Sequence, residues 1–270
     1  MADRPTTVDP LYATSRADQL AARQVHEPLV EELDGPFDVV RHSPGLAISV
    51  TPSADGTVWR ARLRPDVRFQ DGTPFNAAAV LANVERWRSV GAGREALGDL
   101  LVDAPRPDLV RFILPAPDPD FPDRLASPRL GIVSPKAIAA AAGGPLDTAR
   151  LPASGTGPFE LRERSSDREL LARNTSWWGT EHELGPGVDQ IELRVIGTSA
   201  GRLEALRAGN VRVAELDRAQ RHEVRDEPLL TTQPQAGGAM LGLERSVRGI
   251  PPGQPAPSLN AVWLTGIDSG

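Results

Sequence analysis

Val58-Trp59-Arg60-Ala61-Arg62-Leu63-Arg64-Pro65-Asp66-Val67-Arg68-Phe69-Gln70-Asp71-Gly72-Thr73-Pro74-Phe75-Asn76-Ala77 is the stretch on which the fold class turns. In its first part Trp59, Ala61 and Leu63 alternate with Arg60, Arg62 and Arg64, the period of a strand with one buried face. Asp71-Gly72 then makes a turn. Thr73-Pro74 offers an N-cap followed by proline at the first helical position, so a helix is expected from Phe75 to about Val90. Val80, Val84 and Trp87 fall on one face of it, and Gly91 and Gly93 stop it. On this periodicity Trp59 and Trp87 are core residues.

Working outward, the same alternation of strand and helix continues. Leu20, Val25, Leu29 and Leu33 recur at near-helical spacing within 15–33, with Pro28 as a kink or break. Val110, Phe112 and Leu114 alternate as a strand, and the proline-rich 115–122 is a loop. Ser134-Pro135 opens an alanine-rich helix to Ala142. Gly155-Thr156-Gly157-Pro158 turns the chain into strands at 159–162 and 170–173, and a further strand follows at 191–195. A helix at 202–208 closes on Gly209, a left-handed C-cap. Val211 to Leu216 is strand-like, and 249–257, with four prolines, reads as a linker. Interleaved strands and helices make the class α/β, a mixed sheet with flanking helices.

Composition narrows the function. The 270 residues carry 30 basic and 36 acidic side chains, a net charge of −6, and no basic cluster of the kind that phosphate backbones require, so no nucleic-acid partner is expected. Absence of cysteine removes disulfides, thiolate catalysis and a lipid-carrying cysteine. Met1 to Pro10 has no basic segment followed by an apolar one, so no signal peptide is visible. The expected location is extracellular if a leader was removed and cytoplasmic if Met1 is the native start. Nowhere is an apolar run long enough to cross a bilayer, so no membrane insertion is expected.

Several of these stretches together resemble the family 5 extracellular solute-binding proteins, the peptide- and nickel-capturing components of ABC importers. Val8-Asp9-Pro10 is similar to the opening strand of that family. The run from Trp59 through Asp71-Gly72-Thr73-Pro74-Phe75 is similar to its strand–turn–helix signature, and Gly155-Thr156-Gly157-Pro158-Phe159 to its second glycine turn. Arg173-Asn174, Trp177-Trp178-Gly179 and Val188-Asp189-Gln190-Ile191 follow in the family's order, as does Ala205-Leu206-Arg207-Ala208-Gly209. The resemblance implies a type II periplasmic-binding-protein-like lobe made of residues 1–46 plus 150–270, with 47–149 as an inserted small α/β subdomain. It also implies an outgoing hinge strand at 238–243 and a returning strand at 259–264. The second ligand-clamping lobe is then missing, replaced by a linker at about 246–258.

Chemistry-bearing motifs are few. His26-Glu27, His182-Glu183 and His222-Glu223 lack the i, i+4 spacing of a zinc helix and read, with His42, as surface or capping residues. Asp118, Asp120 and Asp123, interrupted by prolines, read as a solvated loop rather than a calcium loop. No phosphate loop, dinucleotide fingerprint or nucleophile elbow occurs, so no catalytic residue, metal or cofactor is assigned. Trp177 and Trp178, adjacent in a connection, must point different ways, one into the core and the other toward a binding surface. The resemblance places Tyr12, Ser15 and Arg16 on the cleft edge and Met240 and Trp263 on the strands beside the missing lobe. Those seven are the candidate ligand contacts. The expected function is non-catalytic binding of a peptide or other small solute, with a homodimer or protein partner over the exposed half-cleft. The alternatives are a cytoplasmic lobe recruited as a biosynthetic accessory protein or enzyme, and a protein-interaction domain.

Overall fold

A computed structural model describes residues 1, 5–34, 40–147, 154–182, 186, 188–224, 227, 230–234 and 241–245. The chain enters through Asp9, which caps a 3₁₀ turn at Pro10–Tyr12, and reaches helix α1 (Arg16–Val25). Ser15 and Asp18 form a reciprocal capping box at its start. The helix ends earlier than periodicity predicts. Its C-cap His26 is already extended at φ −120° and ψ 123°, ahead of Pro28, and the chain passes through Leu29 into β1 (Val30–Asp34) instead of continuing a helical face. β1 pairs antiparallel with β2 (Val40–Pro44).

The opening stretch folds as its alternation requires. β3 (Ala47–Pro52), β4 (Val58–Leu63), β5 (Leu101–Arg106) and β6 (Leu109–Ile113) form an antiparallel sheet in the order β3-β4-β6-β5. Trp59, Ala61 and Leu63 are buried on its inner face. Trp59 meets Phe121, and Phe121 meets Phe112, with ring centroids 6.0 and 5.3 Å apart. β5 escaped the sequence reading because its pairing with β6 is interrupted by a register shift between Asp103 and Arg106, which hides the alternation.

Helix α2 (Ala77–Ser89) starts later than Thr73-Pro74 suggests, with Asn76 as its cap. Thr73 is held elsewhere: Asp71 Oδ1 accepts its amide at 2.9 Å and its hydroxyl as well. Phe75 N donates to Val67 O, so 73–75 stays extended as a miniature bridge. Val80, Val84 and Trp87 are buried along α2 as the periodicity predicts. Gly91 does not end helical structure but begins α3 (Gly91–Leu97), set off by Val90 in an extended conformation. Gly93 lets α3 pack closely, since a β-carbon there would lie 2.6 Å from both Leu11 and the Trp87 carbonyl oxygen. α4 (Phe121–Leu125) trims the proline-rich loop, and Ser134 caps α5 (Pro135–Ala141).

The second sheet, β7 (Phe159–Arg164), β8 (Arg168–Arg173) and β9 (Gln190–Arg194), is antiparallel and packs on α1 through Phe159, Leu161, Leu171 and Leu193. Beyond α6 (Ser199–Arg207), Gly209 adopts φ +74°, the left-handed cap expected there. The strand-like 211–216 reduces to β10 (Glu215–Leu216). α7 (Arg218–Glu223) follows, and β10 joins β12 (Leu241–Arg245) and β11 (Leu230–Pro234). Residues 238–240 of the expected outgoing strand, the linker at 246–258 and the stretch 259–264 lie outside the described residues.

The two glycine-bearing turns are bolted together. Gln70 N donates to Gly155 O at 2.8 Å, and Gln70 Nε2 donates to Gly157 O and Phe159 O at 3.2 and 2.8 Å. Gly155 itself lies against α1, where a β-carbon would sit 1.7 Å from Val25 O. Gly155→Ala is therefore expected to cost about 3 kcal/mol or more in urea denaturation, because backbone rather than a side chain stands in the way. Gly72→Ala, at φ +82° with nothing within 4 Å, is expected to cost only about 1 kcal/mol.

Candidate functional site

Where α1 gives way to β1, the chain carries two ionisable side chains into the interior. Ile132 N donates to Glu27 O at 2.9 Å and Leu46 N to Pro28 O at 3.1 Å, fixing this crossing between neighbouring segments. His26 and Glu27 are only 2 and 3% exposed, which corrects the expectation that the His-Glu pair here is a surface or capping feature. The reason is tertiary. Glu27 Oε1 accepts from Trp177 Nε1 at 3.1 Å and Trp178 Nε1 at 3.2 Å, and Oε2 accepts from Trp178 Nε1 at 3.0 Å. Burial without such donors would be prohibitive for a carboxyl.

The tryptophans are delivered by a turn whose sequence explains itself. Asn174 N donates to Pro158 O, its side-chain amide donates to Gly157 O, and its Oδ1 accepts from Ser176 N. Gly179 leaves room for the Trp177 ring, whose Cη2 would lie 2.4 Å from a β-carbon at that position. Trp177 is buried and Trp178 half-buried, their ring centroids 5.3 Å apart. Above Trp178 lies Arg64, its Cζ 4.1 Å from the ring centroid. Arg64 Nε donates to Gly45 O at 2.6 Å and Nη2 to Pro44 O at 3.4 Å.

Electrostatically the Glu27 carboxyl is contested. Burial pushes its pKa up to about 8, and the nearby Glu31 adds to this, while the indole N–H groups and the Thr156 hydroxyl beside it pull the other way. Glu31 is itself pushed up to about 7 by burial, opposed by Arg23. His26 is driven the opposite way, down to about 4, by burial, with Asp9 opposing and Arg86 assisting. His26 Nε2 lies 2.9 Å from Ser154 Oγ, but both residues are sealed from solvent, so this pair is a packing feature and not a nucleophile with its base. Beside it, buried Asp9 accepts from Arg86 Nη2 at 2.6 Å and from Leu146 N at 2.8 Å.

The candidate contacts divide accordingly. Trp177 and Trp178 converge on Glu27. Tyr12 is half-buried, with the Arg86 guanidinium 5.9 Å from its ring centroid. Ser15 has its hydroxyl committed to Asp18 at 2.7 Å, and Arg16 lies 4.0 Å from Glu215. Met240 and Trp263 lie outside the described residues. Glu27, Arg64 and the Asp9–Arg86 pair are the residues the sequence reading missed. Arg64 directly follows β4 in the outward phase of its alternation, and nothing in the local sequence distinguishes it from Arg60 or Arg62. Among the described residues no three metal-ligating side chains converge. No helix among them is long and apolar enough to cross a membrane.

With this geometry in view, the comparisons with known proteins are direct. The family model "Bacterial extracellular solute-binding proteins, family 5 Middle" matches residues 41–255. The chain belongs to this family. It is 30% identical over 219 residues to the probable D,D-dipeptide-binding periplasmic protein DdpA of Escherichia coli K12, covering 78% of this chain and 41% of DdpA. It is 30% identical over 216 residues to the glutathione-binding protein GsiB of the same strain, covering 77% of this chain and 40% of GsiB. The chain thus spans about two fifths of the length of these curated relatives. The periplasmic binding protein DppA of Helicobacter pylori, solved with the peptide STSA, superposes with a TM-score of 0.70 at 23% identity, over 86% of this chain and 49% of that one. That likeness shows the fold: a periplasmic-binding-protein architecture.

The contested carboxyl has a measurable consequence. Glu27 is protonated in the fold up to about pH 8, whereas its unfolded value is 4.5, so the stability it contributes is lost as pH rises through that window. His26 acts in the opposite sense, its contribution being lost as pH falls from 6.5 toward about 4. The two offset each other between about pH 4.5 and 6.5, where the raised Glu31 carboxyl adds a loss of its own as pH rises. Above that range, stability is expected to fall by about 2 kcal/mol between pH 6.5 and 8. Glu27→Gln, which keeps an acceptor for the indoles, is expected to flatten that limb in urea titrations at stepped pH.

Proposed function

We propose that this chain binds a peptide or other small solute without catalysis, as part of an ABC-transporter substrate-binding protein. The observation that carries the reading is the family match itself. Two relatives aligned over three quarters of the chain are named for a dipeptide and for glutathione, both small peptides with free carboxylates. In this reading residues 1–46 and 150–270 form the ligand-facing lobe and 47–149 an inserted subdomain. Tyr12 and Trp178, both half-buried, are the ligand contacts among the described candidates.

A solute on one lobe is covered on one side only, and enclosure supplies most of the buried area in such sites. The proposed cleft is therefore completed by a second copy or a protein partner. The test combines light scattering, native mass spectrometry and calorimetric titration with dialanine, trialanine and glutathione. A dimer or a retained small molecule, with saturable heat for at least one peptide, is the expected result. A ligand-free monomer silent to all three peptides overturns the reading.

A further inference from the structure

Trp178 touches an acid with its edge and a cation with its face. Its indole nitrogen donates to both oxygens of Glu27, at 3.2 and 3.0 Å. The Arg64 guanidinium lies over the ring, 4.1 Å from the centroid, with Nε and Nη2 donating to the Gly45 and Pro44 carbonyls. Glu27 is the carboxyl whose charge is felt at Arg64, yet the two side chains meet only through Trp178, and among the described residues Arg64 forms no ion pair.

The partners of Glu27 differ in freedom. Trp177 is buried, with Gly179 packed against its ring. Glu27 itself is only 3% exposed, and its backbone carbonyl accepts from Ile132 N. Trp178 and Arg64 are half-buried and border solvent. A change of charge on the Glu27 carboxyl is therefore answered by these two side chains.

The charges around that carboxyl come from separate elements. Glu31 of β1 repels it, and Arg23 of α1 lies 3.9 Å from Glu31. Arg64 reaches it from the end of β4, and the turn at 154–158 brings the Thr156 hydroxyl. Asp9 and Arg86 act on the neighbouring His26. While Glu27 is neutral this set is balanced. Once ionised, Glu27 is a buried charge whose direct partners are neutral dipoles, and a cation in hydrogen-bond contact offsets such a charge far better. Burial pushes Glu31 up to about 7 and Glu27 up to about 8, so Glu31 ionises first, with Arg23 at hand, and its charge helps Glu27 to keep its proton.

We propose that Glu27, Trp178 and Arg64 form a proton-operated latch. With Glu27 neutral, Trp178 is clasped between carboxyl and guanidinium, and the turn at 174–179 is tied to the crossing between α1 and β1. When the proton leaves for solvent, Arg64 moves off the ring face to pair with the carboxylate, and the Trp178 ring turns outward. The latch stands apart from the solute-binding reading and needs no ligand to operate.

The test is fluorine NMR of the full chain labelled with 5-fluorotryptophan, stepped from about pH 6 to 9.5, with a soluble gadolinium chelate reporting exposure. Five tryptophans contribute, and the resonance missing from Trp178→Phe identifies the one that matters. Its paramagnetic relaxation is expected to rise about threefold or more with a midpoint near pH 8, while far-UV circular dichroism stays constant. Glu27→Gln, which cannot ionise, is expected to hold the low-pH value throughout. Glu31→Gln is expected to lower the midpoint by about half a unit or more by removing the repulsion, and Arg64→Met to raise it by as much by removing the answering cation. Should Glu27→Gln fail to fold, those two opposite shifts decide. A wild-type resonance that changes frequency without gaining relaxation reveals a charge titrating beside an immobile ring and overturns the latch. So does a rise that persists in folded Glu27→Gln, disappears in Glu31→Gln, keeps its midpoint in Arg64→Met, or coincides with loss of the circular-dichroism signal.

Discussion

A carboxyl group taken out of water has to be met by donors, and in this protein that requirement falls on Glu27. The two indole N–H groups that meet it come from the turn after β8, while Glu27 itself stands between α1 and β1. Satisfying one side chain therefore ties the first helix to the second sheet. The same crossing receives amide donors from Leu46 and Ile132, which draw in the β2–β3 connection and the segment before α5. Removing the carboxyl takes from both indoles the acceptor they share, a larger penalty than the modest net gain of each hydrogen bond.

Close backbone approach is the second condition. Gly155 and Gly157 lie against the last turn of α1 at separations no β-carbon tolerates, and Gly157 N donates to Val25 O at 2.9 Å. That contact sets how near the turn at 154–158 comes to Glu27 and brings Thr156 beside its carboxyl. Gln70 then locks the Asp71-Gly72 turn onto the same backbone. The first and second sheets are in this way joined by polar bonds between turns, while their apolar cores remain separate clusters. Such a frame is rigid where it holds Trp178 and Arg64.

Opposed ionisation is the third feature. His26 and Glu27 are neighbours, both buried, and burial disfavours the charged form of each, moving their pKa values in opposite directions. Adjacent neutral side chains are cheaper to bury than adjacent ions, and each still has a polar partner: Ser154 for the imidazole, and Trp177 and Trp178 for the carboxyl. The Asp9–Arg86 pair meets the same demand differently, by bonding the two side chains to each other and adding the Leu146 amide as a further donor.

What could be read from the residues in order was local. The alternation from Trp59 to Leu63, the helical face of Val80, Val84 and Trp87, the Ser134 cap and the Gly209 terminus each depend on neighbours within a few positions. The structure carries all of them. Where the reading slipped, a competing local bond had won, as when Asp71 captured Thr73 and moved the α2 cap to Asn76, or the chain had already turned extended, as at His26 ahead of Pro28, where α1 ends and Leu29 leads into a strand. The site was largely illegible. Glu27 and Trp177 are 150 positions apart, His26 and Ser154 are 128, and Arg64 looks like any outward arginine of the β4 alternation until Trp178 is set beneath it. The sequence by itself determined the strands, helices and turns whose pattern is uninterrupted, such as Trp59 to Leu63 and Val80 to Trp87, because those preferences are decided by adjacent backbone and side-chain sterics. Tertiary structure alone decided which charged groups leave water, because desolvation and its compensation depend on partners that only the folded chain brings together.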